Sequence, residues 1–550
     1  MSNYVKKTPD VSVEGLNDDH RPSATSKSES LSSSAISKDE LPCPETAHRH
    51  GVPTYNDANQ IEKAEATAPC SDPSPPSNGN DNPSSREDAK DKCGWRRSCC
   101  TMIAETLSLG ILSLPAAAAA MGLIPTIVLL ISFGFITTGT GYCYYLYKEK
   151  YPHIRSIPQA LDNIFGAPGR WITDIIITVY LILLMAGHLI LFSSFVQAFS
   201  KPEDVPCRIA VMGIAYFINC LFTFYRKFAR LGYVCVACCF SILIATFVCL
   251  GYLAADKDKN LSLPGNYSAF AVTPLGLHYG DGKVTTIFGA CAAFSNILLS
   301  YSGSICYFNI IDEMKEPRDF WKCLLVTNAA TITMYTIAGI GMYALAGQLV
   351  GSPALDSAGS QGAKIAYCFG LPTILLAAVI LANVNCKRTE DLIYAWRGLD
   401  AEEAHRSQRK AFSAVNVLWY AIVISWWTVS FIVGNSLPFF GPLLAVIGAI
   451  SGNWICLGWP GMFMLHLWRP EVIQDDGTER KFTRQEIKEA GGWWKCYTTP
   501  NRWRKLLVPA MILLIVINIA ASALGLYGSV MQFAVLGKGR KPFSCEYDWK

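Results

Sequence analysis

Charge is what this chain has least of: Asp, Glu, Lys and Arg together make up 16% of its 550 residues. A soluble domain carries about a quarter. The deficit deepens along the chain, because roughly the first 95 residues are polar and everything after them is correspondingly poorer in charge. A water-exposed globular fold is therefore excluded for most of the length. The net charge of +4 is too small to mark a nucleic-acid partner. No His-Glu-x-x-His pair, no glycine-rich nucleotide loop and no nucleophile elbow occurs, so enzyme chemistry has no foothold and no cofactor is expected. Twenty cysteines are present, but most lie inside apolar runs, as Cys235, Cys238, Cys239 and Cys249 do. Without a second ligand pair they read as packing residues rather than a metal site. The amino terminus lacks a basic start followed by an apolar stretch, so it reads as a disordered cytoplasmic tail and not as a signal peptide. Its lysines and serines suit ubiquitination or phosphorylation.

What is present is a series of long apolar runs. About eleven are long enough to cross a bilayer, at 99–123, 125–147, 171–199, 207–225, 231–254, 284–310, 322–346, 364–386, 411–433, 438–465 and 505–530. The reading is an all-α polytopic membrane protein: a tail over 1–95, a core over 96–468 with ten spans, a cytoplasmic loop over 469–504, a last span over 505–530 and a tail over 531–550. Lysine and arginine crowd alternate loops, including Arg96 and Arg97, Lys387 and Arg388, and the basic stretch after Arg469. The positive-inside rule then puts the amino terminus in the cytoplasm and the carboxy terminus outside. Both usable glycosylation sequons, at Asn260 and Asn266, fall in one loop that this topology places outside. Cys207 and Cys545 are the two cysteines it leaves outside, where oxidation permits them to pair.

A transported solute needs a site at mid-membrane, and a helix broken there frees backbone donors and acceptors for it. The first span has such a break over Ser108-Leu-Gly110-Ile-Leu-Ser113-Leu-Pro115, with Pro115 suited to open the outer half-helix. The sixth has another at Ser300-Tyr301-Ser302-Gly303. These spans begin successive five-span units, and an odd number of spans inverts the second unit relative to the first. Two breaks at matching places in inverted repeats would meet. Intramembrane ionisable groups are rare enough to be functional candidates. Glu105, on the inner half of the first span, and His188, in the third, are the two candidates for proton coupling.

Residues Gly110-Ile-Leu-Ser-Leu-Pro115, the Asp312-Glu-Met-Lys-Glu-Pro317 after span six, and Leu437-Pro-Phe-Phe-Gly441 leading into Gly448-Ala-Ile and Pro460 resemble the amino acid/auxin permease family. In particular they are similar to neutral amino acid permeases of filamentous fungi. The resemblance covers about residues 95 to 530. It implies the five-plus-five inverted repeat of the leucine transporter with one extra helix, and usually proton symport. It also implies a substrate carboxylate on amides around Gly110, Ile111 and Leu112, beside Ser108 and Ser113, and an ammonium on groups around Ser300, Tyr301 and Ser302. Ser108 stands where many members have glycine. In this fold a cation is commonly held between spans one and eight, where Asn383 and Asn385 offer amide oxygens. Phe294, Tyr301 and Trp454 are candidates to line the side-chain pocket. No lysine, arginine or aspartate lies deep in the broken spans or in spans eight and ten, which favours a neutral substrate. The expected partners are thus a neutral amino acid, a proton or sodium ion and the bilayer, with the plasma membrane preferred to the vacuolar one. A receptor that keeps the transporter fold is the competing function.

Overall fold

In the computed structural model, the structure describes residues 93–107, 109–201, 204–225, 231–255, 262–263, 267–268, 279–280, 283–284, 287–347, 350–397, 414–437, 439–473, 479–489, 492–498, 503–536, 543 and 545. Ser108, Asn260, Asn266 and the tail over 1–92 lie outside them.

The uncharged runs become helices because a chain with no water to bond must satisfy its backbone internally. Among the described residues eight helices are long and apolar enough to cross a membrane, or nine if one bent pair counts as a single span. Their outward faces carry large apolar side chains: Phe135 is 70% exposed and Phe217 61%, which water would penalise and lipid does not. The chain is a multi-pass membrane protein.

The bent pair is the first span. Helix α1 (Trp95–Thr106) stops, a tight turn covers Leu109–Leu112, and α2 (Leu114–Met121) leaves at 51° with Pro115 in its first turn. Proline there removes an amide that has no helical partner anyway. Gly122, at φ 90°, then reverses the chain into α3 (Leu123–Lys150), a conformation that favours glycine.

A short helix, α4 (Ile157–Phe165), precedes α5 (Ala167–Phe199) and packs along it, burying Ile157, Pro158, Ala160 and Leu161. Then come α6 (Arg208–Phe224) and α7 (Leu231–Ala255). The next break lies between α8 (Ile287–Ser300) and α9 (Tyr307–Glu313), joined by a tight turn over Ser302–Cys306. After α10 (Phe320–Ala346), α11 (Gly359–Arg397) and α12 (Ala414–Ser436), a third irregular span begins as α13 (Phe440–Ile447). It widens into π-helical turns over Gly448–Gly452 and Trp454–Gly458 and resumes as α14 (Trp459–Leu467). Two short helices, α15 (Arg484–Glu489) and α16 (Trp493–Thr498), lead to α17 (Arg504–Leu536). Three antiparallel two-stranded hairpins in the loops, such as Glu471–Ile473 with Glu479–Lys481, are the departure from an all-helical chain.

Packing polarity follows from named contacts. Thr373 Oγ1 donates to the Cys238 carbonyl at 2.6 Å, while Cys249 Sγ reaches the carbonyl of Ala354, just ahead of α11. Helices α7 and α11 therefore run antiparallel. Likewise Met212 packs on Gly434 while Phe224 meets Tyr420 edge-on, so α6 and α12 run antiparallel. A disulfide joins Cys207, at the start of α6, to Cys545, and the Phe543 amide donates to the carbonyl of Asn435 at the end of α12.

Candidate functional site

The two breaks touch. A Cβ added to Gly110 would lie 2.7 Å from Ser300 Cα, and one added to Gly303 would lie 2.4 Å from Thr106 Oγ1. Glycine is demanded at both places by close approach; neither has a left-handed φ. The contact is reciprocal, since Thr106 precedes Gly110 in one break as Ser300 precedes Gly303 in the other. Tyr335, from α10 and fully buried, places its hydroxyl 2.5 Å from both the Thr106 and the Ser300 carbonyls. One proton serves two acceptors that the unwinding has released. No pattern in the sequence singles out Tyr335, an aromatic residue inside an otherwise ordinary span.

A cavity of about 180 Å³ begins at the breaks and runs toward one side of the molecule. Its inner end is lined by Gly110, Ser300, Ser302 and Gly303, and its mouth by Arg155, Ser156 and Arg388. Tyr180 and Ser302 hydroxyls lie 3.0 Å apart on its wall, and Ser302 Oγ donates to the Leu299 carbonyl at 2.6 Å, which leaves Tyr180 as the donor of the pair. Apolar side chains from α5 and α11, among them Ile177, Leu184 and Ile380, fill the rest. Three charged residues line it among the described residues: Glu105, Arg155 and Arg388.

The expected site residues divide in two. Gly110, Ser300, Ser302, Gly303 and Glu105 line the cavity. Ile111, Leu112 and Ser113 are buried behind it, with Ser113 Oγ donating to the Gly110 carbonyl at 3.0 Å. Tyr301 is turned away to donate to the Leu130 carbonyl at 2.7 Å, and Phe294 packs edge-on against Phe133. Glu105 is half-buried, with no hydrogen bond or ion pair to a described residue. His188 is buried away from the cavity lining, its Nδ1 3.0 Å from the Ile374 carbonyl and its Nε2 without a hydrogen-bond partner among the described residues. Asn383 and Asn385 are buried without lining the cavity; Asn383 donates to the Val379 carbonyl, and both side-chain oxygens lack hydrogen-bond partners among the described residues.

At the membrane edge, Lys148 Nζ pairs with Asp312 at 2.7 Å, joining the end of α3 to the end of α9. The Cys93 amide donates to the Glu313 carbonyl at 2.7 Å and the Lys315 amide to that of Cys93 at 2.9 Å, so both broken spans end on one side.

A family model described as transmembrane amino acid transporter protein matches residues 91–483. The N amino acid transport system protein of Neurospora crassa is 25% identical over 82% of this chain and 88% of its own. A transmembrane transporter of Fusarium pseudograminearum is 24% identical over 68% of this chain and 75% of its own. The amino acid transporter AVT1H of Arabidopsis thaliana is 22% identical over 72% and 86%.

Proposed function

Since the chain belongs to the transmembrane amino acid transporter family, and so is a transporter-family protein rather than an enzyme, we propose that it is a secondary transporter of neutral amino acids. It works by alternating access and is driven by a proton gradient. The carrying observation is the reciprocal contact of the two breaks at the end of a one-sided cavity. A contact in which the glycine of each break meets a residue three or four positions before the glycine of the other fits inverted repeats around a local two-fold axis. The substrate carboxylate is assigned to the amides that follow Leu109 and the ammonium to the carbonyls around Ser300 and Ser302. No cation lines the break itself among the described residues, so a neutral side chain suits it. Glu105, on the same wall and without a hydrogen bond or ion pair to a described residue, is the coupling carboxyl.

The count of eleven spans has support from polarity. The end of α7 lies beside the start of α11 with α10 between them, which fits a crossing by the broken α8–α9 unit. The disulfide fits an even number of crossings between Cys207 and Cys545, and with it a crossing by the 17-residue α6. At 1.5 Å per residue α6 is about 25 Å long, close to a bilayer core. With the amino terminus inside, the cavity faces the cytoplasm, the disulfide lies outside and glycans belong on Asn260 and Asn266.

The test is uptake by proteoliposomes from a panel of the twenty L-amino acids under imposed proton or sodium gradients. Accumulation of neutral members in proportion to the pH gradient is expected. Binding without accumulation would point to a receptor, and dependence on sodium would reassign the coupling ion.

A further inference from the structure

We propose that the guanidinium of Arg388, held on the cavity wall by Asp174 and Thr178, is a second carboxylate site that receives the substrate's α-carboxylate as it leaves the broken helices for the cytoplasm. The inference rests on the transport reading above. Arg388 sits near the inner end of α11 with a side chain 20% exposed. Its Nη2 donates to the Asp174 carbonyl at 2.5 Å and to Thr178 Oγ1. Its Nε and Nη1 have no hydrogen-bond partner among the described residues, although Asp174 Oδ1 is 3.6 Å from Nε. Although Asp174 balances its charge, a guanidinium with N–H groups left without acceptors at the edge of a largely apolar cavity is costly. An arriving carboxylate removes that cost, and its two oxygens match the planar fork.

Local charge points the same way. Asp174 is shared, since Arg170 Nε also faces it at 3.9 Å, and Arg170 Nη1 faces Asp162 at 3.9 Å. Arg155 adds a further cation at the mouth, while the one acid lining the cavity, Glu105, belongs to the break. The mouth therefore favours an anionic group. The distances suit a hand-over. Tyr180, which touches Ser302, and the Arg388 partners Thr178 and Asp174 lie on one helix, two and six residues apart, or about 3 and 9 Å. That displacement is comparable to the length of an amino acid.

The experiment uses the full chain in right-side-out and inside-out vesicles, with the radiolabelled L-amino acid that the unaltered protein accumulates best in the panel of twenty. Arg388→Gln is expected to raise the half-saturating concentration on the cytoplasmic face about tenfold, with the external value unchanged within about twofold. Arg388→Lys, which keeps the charge without the fork, falls between them. Equal shifts on both faces, or no shift for either variant, overturn the proposal. Replacing cytoplasmic chloride by gluconate separates the occupants: an Arg388-dependent response to chloride alone means an inorganic anion site. If Arg388→Gln is poorly folded, Arg388→Lys decides by the same cytoplasmic-face shift. If the unaltered protein moves no amino acid in either orientation, it is the transport reading that has failed.

Discussion

Tyr335 is the residue on which the geometry of the breaks turns. Phenylalanine at this position keeps the ring that packs against Tyr301 but leaves the Thr106 and Ser300 carbonyls without their donor. A buried carbonyl left unpaired costs about 1–3 kcal/mol. Tyr335→Phe should therefore lower the melting temperature and raise the KM for substrate by more than it lowers kcat, read by thermal shift and uptake. The glycines make a second prediction. Gly303→Ala strikes the Thr106 hydroxyl, so Thr106→Ala should recover much of the lost activity in the double variant. Gly110→Ala meets the backbone of Ser300 instead, and trimming that side chain should recover little. The contact also means that Gly110→Val would spread the two helices and would not report on ligand binding alone. At Glu105, glutamine keeps size and hydrogen-bonding capacity but holds no charge. Glu105→Gln should bind and exchange substrate yet lose accumulation driven by a pH gradient; persistence of that accumulation would remove Glu105 from the coupling role.

At the scale of elements, the breaks in α1–α2 and α8–α9 were legible because glycine, serine and proline interrupt apolar runs at matching places. The π-helical stretch of the third irregular span was not. Gly448 and Gly452 announce it weakly, and what holds it is their approach to α8: a Cβ on Gly448 would lie 2.2 Å from the Ser295 carbonyl. The α4 helix falls between the apolar runs 125–147 and 171–199, and nine residues are too few for periodicity to stand out; its apolar face matters only once α5 is beside it. Elements also set accessibility. Cys306 lies on the cavity wall, whereas Cys249 and Cys386 are wholly buried. A thiol reagent applied from the cytoplasmic side should modify Cys306 and spare the other two, with substrate slowing the modification, as read by peptide mass spectrometry. Modification of Cys306 only from outside would reverse the orientation.

For the whole molecule, the Cys207–Cys545 bond ties the carboxy-terminal segment to the start of α6 and closes a loop of 338 residues. Non-reducing peptide maps of the purified protein should show the two cysteines in one linked fragment, and Cys207→Ser should release it. Two free thiols in protein exported to the cell surface would sink both the bond and the topology that depends on it.

The amino-acid sequence by itself determined the membrane class, the helical runs and the places where helices break. Each of these follows from local composition: a run without charge must enter lipid, and a glycine–proline interruption cannot continue a helix. It also suggested the Cys207–Cys545 pair, by elimination on the outer side. Tertiary structure decided what no local pattern encodes. It turned Tyr301 and Phe294 away from the cavity, brought Tyr335 onto both breaks, and put Arg388, read as one loop charge among many, onto the cavity wall against Asp174. Those outcomes depend on which helix faces of remote segments meet, and spacing along one chain does not carry that information.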